Sequence, residues 1–100
     1  MNIVNAIAKA RFASARAQCV HLGKEGHAET ELLCLEPGQS LTVGSGQWSY
    51  YVLASRATLK ANRETAELAP GGFACFGPAE SHSLTNHSEQ RLICLAFGVR

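Results

Sequence analysis

The chain has 100 residues, 46% hydrophobic and 17% charged, and nine basic against eight acidic side chains give a formal net charge of +1. This describes one small, sparsely charged globular domain and excludes a disordered chain. The charge balance, with no block of one sign, leaves no electrostatic case for nucleic acid or an anionic membrane.

Residues 1–16 form a separate N-terminal segment, helical or extended. Asn5 to Ala17 is rich in alanine and poor in β-branched residues, and Ile3, Ile7 and Ala10 or Arg11 fall at helical spacing, so a short helix is expected over about Ile3–Ala10. From residue 17 to residue 100 the pattern changes to short strands broken by turns. Ala17–Leu22 ends at Gly23-Lys24-Glu25-Gly26, and His27–Leu35 ends at Pro37-Gly38. Gln39–Val43 precedes the break Gly44-Ser45-Gly46, and Trp48–Leu53 is aromatic and β-branched. Ala57–Lys60 and Glu64–Leu68 flank a hairpin loop at Ala61-Asn62-Arg63. Gly72–Phe76, His82–Asn86 and Leu92–Phe97 complete the set. This spacing of about 8–12 residues predicts an all-β sandwich or barrel. A double-sheet jelly roll protects the strand edges of so short a chain. Pro37-Gly38 and Pro70-Gly71 each precede a new strand, with proline setting the first central φ of a turn and glycine supplying the positive φ after it.

No window approaches the ~18 apolar residues of a membrane span. Met1–Val20 has no long apolar run and carries Lys9, Arg11 and Arg16, so no secretory leader is expected. The four cysteines show no Cys-x-x-Cys or Cys/His zinc spacing. Cys34, Cys75 and Cys94 stand in apolar strand contexts, where cysteine acts as a small buried hydrophobe. The expectation is reduced thiols in a cytoplasmic protein.

Alternation along strands assigns an interior. If Trp48 points inward, so do Tyr50, Val52 and Ala54, while Tyr51 points out. His82, Leu84 and Asn86 share a face. With Phe73 and Cys75 they make an aromatic, mainly apolar interior, which describes both a small-molecule pocket and a filled core. His21 and His27 flank the first turn and are a weak candidate for a surface metal pair.

The segments Cys34-Leu35-Glu36-Pro37-Gly38-Gln39-Ser40, Tyr50-Tyr51-Val52-Leu53, Leu68-Ala69-Pro70-Gly71 and His82-x-x-x-Asn86 together resemble a small single-domain cupin of the conserved-barrel type, over about Arg11 to Gly98. In the second motif of that family, Gly71 matches the opening glycine, His82 the histidine and Asn86 the asparagine. Gly77 stands at the proline position, Ala79 at the inner glycine, and Pro78 is displaced by one. In the first motif only Gly38 matches. Gly44 and Gly46 occupy the two histidine positions, Trp48 the glutamate position, with shortened spacing, and Ser55 the closing glycine.

The resemblance implies a jelly-roll barrel and often a homodimer, with Ala17–Leu22 as a strand for pairing with a second subunit and Tyr51 at an interface. It also implies a site of three imidazoles and a carboxylate for a divalent metal, of which only His82 is retained. The first motif is therefore degenerate, and neither a metal nor another cofactor is expected. The leading expectation is a metal-free small-molecule-binding or structural module. The alternatives are a metal-dependent dioxygenase or isomerase using His82 with replacement ligands, and a metal-free isomerase with His82 as base and Tyr50 as acid.

Overall fold

In a computed structural model, residues 1–44 and 46–99 are described; Ser45, in the predicted Gly44-Ser45-Gly46 break, and Arg100 lie outside the described residues. Nine strands are present among them: β1 (Gln18–Glu25), β2 (Ala28–Leu35), β3 (Ser40–Val43), β4 (Gln47–Ala54), β5 (Ala57–Ala61), β6 (Glu64–Leu68), β7 (Phe73–Phe76), β8 (His82–Thr85) and β9 (Leu92–Val99). They form two antiparallel sheets, ordered β1-β2-β9-β4-β7 and β3-β8-β5-β6, the two-layer jelly roll that the turn spacing predicts.

Turn chemistry sets the strand boundaries. At Glu36–Gln39 and Ala69–Gly72 a backbone N–H donates to the carbonyl three residues earlier, at 3.1 and 2.8 Å. Gly38 and Gly71 take φ of 85° and 87°, as the third position of a type II turn requires. Asn62 turns the β5–β6 hairpin at φ 55°. The first hairpin is tighter than expected. β1 runs on to Glu25 through an irregularity between His21 and Gly23, and the turn contracts to Gly26-His27. His21 consequently lies opposite Glu31, so the two histidines are not cross-strand partners.

The core lies between the sheets. Leu33 and Leu35 of β2, Trp48, Tyr50 and Val52 of β4, Leu59 of β5, Leu84 of β8 and Leu92, Cys94 and Ala96 of β9 form one buried cluster. Registers agree with this sidedness: Trp48 faces Gly98, Tyr50 faces Ala96 and Val52 faces Cys94 across β4–β9. Leu32 and Cys34 point to the other face of the larger sheet and are still fully buried. The N-terminal segment runs over that side. A backbone N–H of Arg11 reaches the Cys34 thiol, Gln39 Nε2 donates to the Ala13 carbonyl at 2.7 Å, and the Arg91 guanidinium sits 4.6 Å from the Phe12 ring centre.

The expected helix over Ile3–Ala10 is corrected to a single 3₁₀ turn, Ile7–Lys9. Ile3 and Ile7, its proposed apolar face, are 82% and 53% exposed. A helix this short is marginal without a packed face, whatever its alanine content.

Trp48 fits because Gly98 has no side chain. A Cβ at Gly98 would lie 2.4 Å from Cε3 and Cζ3 of Trp48, so the indole lies directly over the glycine backbone of the adjacent strand. A Cβ at Gly71 would meet nothing within 4 Å, so only its positive φ demands glycine. We expect Gly98→Ala to destabilise by about 2 kcal/mol or more through displacement of the ring, and Gly71→Ala by about 1 kcal/mol through backbone strain alone. Denaturant unfolding followed by Trp fluorescence separates them: only Gly98→Ala also changes the native emission spectrum.

Candidate functional site

A cavity of about 470 Å³ lies between β1 and β2 on one side and β3 on the other. Its walls are Leu33, Leu41, Val43, Ala96 and Trp48, with Tyr50, Thr42, Glu31 and Cys19 as the polar side chains and Gly44 and Gly46 beside them. Alternation puts them there. Cys19 pairs with Leu33 across β1–β2, and Glu31 shares the inward parity of Leu33 and Leu35. Glu31 and Cys19 are site residues that motif reading missed. Their only signal in the sequence is that parity.

His82 and Tyr50 are brought together. Tyr50 Oη and His82 Nε2 are 2.5 Å apart, and His82 Nδ1 is 3.0 Å from the Glu80 carbonyl. His82 is 3% exposed and stacks on Phe76, with ring centres 4.0 Å apart and planes 7° apart. A carbonyl oxygen only accepts, so Nδ1 donates to it. In a neutral imidazole Nε2 is then the acceptor, and the Tyr50 hydroxyl donates to it. Tyr50 lines the cavity and His82 does not. The imidazole sits behind the phenol and orients it.

Four predicted pocket residues lie off this cavity: His82, behind Tyr50, and Phe73, Cys75 and Asn86. Phe73 is 57% exposed and Cys75 is also exposed, because β7 presents Ala74 and Phe76 to the interior, opposite Tyr50 and Trp48. Asn86 is fully buried and does not line this cavity. Its Nδ2 donates to the Leu35 and Gln90 carbonyls at 3.0 and 2.7 Å, and its Oδ1 accepts from the N–H and hydroxyl of Ser88. It ties the β8–β9 loop to the end of β2, a structural role that fills its hydrogen-bonding capacity. Trp48 is buried, and instead of plugging the barrel it forms one wall of the cavity.

The residues at the metal-ligand positions do not fit a metal. Gly44 and Gly46 offer no side-chain donor atom, the Trp48 indole N–H has no lone pair to give, and both nitrogens of His82 are engaged. Among the described residues no three His, Cys, Asp or Glu side chains converge as a metal site.

Burial raises the Tyr50 phenol well above its ordinary range, with Cys94, Cys19 and Glu31 nearby adding to the rise. Burial likewise pushes the Cys94 thiol from 9.0 up to about 12. The free cysteines divide into buried Cys34 and Cys94 and exposed Cys19 and Cys75.

No family model matches the chain, and no curated protein does. Solved structures do. A protein from Thermus thermophilus superposes with a TM-score of 0.92 at 22% identity, covering 100% of this chain and 99% of that one. A cupin superfamily protein from Desulfitobacterium hafniense gives 0.79 at 14% identity, with 90% and 83% covered. A putative sugar phosphate isomerase from Acidithiobacillus ferrooxidans gives 0.72 at 29% identity, with 84% of this chain and 59% of that one covered. These likenesses show the fold: a cupin-type double-stranded β-helix. No helix among the described residues is long and apolar enough to cross a membrane.

One pH dependence follows from the buried thiol. Cys94 stays protonated in the fold up to about pH 12, whereas in the unfolded chain it ionises near 9.0. Between these values the unfolded chain has released a proton that the fold retains, so this contribution is complete below pH 9 and is lost as pH rises towards 12. Thermal unfolding between about pH 8 and about pH 11 should show melting temperature falling with pH. Cys94→Ala, although less stable throughout, should show a shallower fall.

Proposed function

We propose that this chain is a metal-free cupin-type barrel that binds a small organic molecule in the cavity floored by Tyr50 and walled by Trp48. The observation that carries this reading is the cavity itself: about 470 Å³, with mostly apolar walls and a few convergent polar groups. A structural module with a filled barrel has no use for such a volume. Metal-dependent dioxygenase or isomerase chemistry lacks its ligands, because Gly44 and Gly46 offer none and His82 is fully engaged. A metal-free isomerase is the second reading, favoured by the hydrogen-bonded Tyr50–His82 pair and by the carboxylate of Glu31 in the same cavity. In that reading Tyr50, which lines the cavity, meets the substrate and His82 exchanges protons through it.

Elemental analysis and ligand titration test the proposal together. Purified protein should carry no stoichiometric transition metal, and small aromatic probes should shift the Trp48 signal saturably. A stoichiometric metal that is lost on His82→Ala overturns the metal-free reading. A Trp48 signal indifferent to every probe overturns the binding reading.

We propose further that the barrel works as a homodimer in the cytoplasm. The outward positions of β4, β7 and β9 carry no charged residue, and Tyr51, Phe73, Phe97 and Val99 leave 38%, 57%, 41% and 49% of their surfaces exposed there. Tyr51 lies opposite both Phe73 and Leu95, so these side chains form one patch. The exposed Ile3, Val4 and Ile7 add apolar area from the N-terminal segment. Sedimentation velocity should report a dimer, and Phe73→Asp combined with Phe97→Asp should convert it to a folded monomer. A wild-type monomer at all concentrations overturns this proposal.

A further inference from the structure

The hydrogen bonds behind the cavity fix the polarity of its floor. The Glu80 carbonyl can only accept, so it takes the Nδ1 proton of His82 at 3.0 Å. Nε2 of the neutral ring then takes the Tyr50 hydroxyl proton at 2.5 Å. The hydroxyl hydrogen is taken up by His82, which does not line the cavity, and the phenol oxygen keeps its lone pairs as acceptors. The hydroxyl stands close enough to Glu31 and Cys19 to feel both, and both line the same cavity. Glu31 is a second acceptor. A carboxylate has about four acceptor positions, so it serves a ligand whether or not another group also donates to it. Tyr50 and Glu31 therefore bring acceptors to the cavity, Thr42 adds a hydroxyl that serves either way, and beside them stands the Trp48 indole, a ring that attracts cations and stacks on planar groups.

We infer that the cavity selects ligands that are hydrogen-bond donors, amines or hydroxyl compounds with an aromatic or apolar body, and discriminates against carboxylates of the same shape. This rests on the proposal that the cavity binds a small molecule, and it adds which chemistry is accepted. An amine places its N–H groups on Tyr50 Oη and Glu31 while its body lies against Trp48, Leu33 and Val43. A carboxylate in the same place sets lone pairs against lone pairs and charge against charge. His82 does not touch the ligand. It acts as a positioning residue that keeps the phenol in its accepting orientation.

The test uses three probes of one shape: benzylamine, benzyl alcohol and benzoate. Trp48 is the single tryptophan of the chain, so its indole N–H signal in ¹H–¹⁵N spectra reports on the cavity alone. The titrations are run on the whole chain at about pH 8.5, where imidazoles are neutral. The expected result is saturable binding of benzylamine and benzyl alcohol, with benzylamine about tenfold tighter than benzoate, the worth of one charge-assisted hydrogen bond. Glu31→Gln should bring benzylamine down to the level of benzyl alcohol. Tyr50→Phe should weaken both donors several-fold relative to benzoate. If Tyr50→Phe does not fold, Glu31→Gln alone decides, since Glu31 is only half-buried at the cavity wall. Benzoate binding as tightly as benzylamine, or an amine preference unchanged in Glu31→Gln, overturns the inference while leaving the cavity a binding site. A Trp48 signal unmoved by all three probes overturns the binding proposal, and this inference with it.

Discussion

The packing of Trp48 over Gly98 is the contact on which the interior depends. An indole is the largest side chain a barrel of this size can hold, and it could occupy the lumen or lie on a wall. It lies on the wall because the neighbouring strand offers a bare backbone at that one register position, where a Cβ would meet the ring at 2.4 Å. Register then propagates. With Trp48 against Gly98, Tyr50 falls against Ala96 and Val52 against Cys94, a large residue on β4 facing a smaller one on β9 at each step. That size matching brings the Tyr50 hydroxyl to His82 and leaves room between β2 and β3.

His82 retains its motif position while doing different work there. Two hydrogen bonds and a stacked Phe76 consume its capacity. Removing Tyr50's hydroxyl would strand a buried Nε2 at a cost of about 1–3 kcal/mol, reason enough for the fold to hold both residues without any metal. Asn86 has the same character. Its amide and its backbone bind both the Pro37-Gly38 turn and the β8–β9 loop, a role that needs no metal nearby.

The nine strands were legible because turn chemistry is local. Two Pro-Gly pairs, Asn62 and the Gly44–Gly46 region mark boundaries that tertiary packing has no reason to move. Ser55 shows how far this goes: it stands at a motif glycine and keeps a positive φ of 69°, its hydroxyl 2.5 Å from that of Ser88. Sidedness was legible only where one face is polar. β7 reads Phe-Ala-Cys-Phe, apolar at every position, and both faces of its sheet are apolar here, so period-2 alternation could not choose between Phe73 and Phe76. The N-terminal segment misled in the opposite way. Its alanines favour a helix, but propensity over so few residues yields to the absence of a face to pack. Glu31 and Cys19 escaped notice because no motif contains them. They become a site only when β1 and β2 pair and the lumen behind them stays open.

The substitutions at the first motif act together. Where the resemblance would place two imidazoles and a carboxylate, Gly44, Gly46 and an indole pressed on the wall leave one end of the barrel without ligand side chains while the barrel itself is complete. The Gly46 backbone, at a φ of 93°, passes close enough to Trp48 Nε1 that a Cβ there would stand at 2.9 Å. The loop therefore needs glycine for its own conformation and to clear the indole. A histidine could not stand at position 46 without displacing Trp48, and Trp48 could not move without losing its seat on Gly98. Gly46, Gly98 and Trp48 constrain one another, and that mutual constraint keeps the volume beside Tyr50 open.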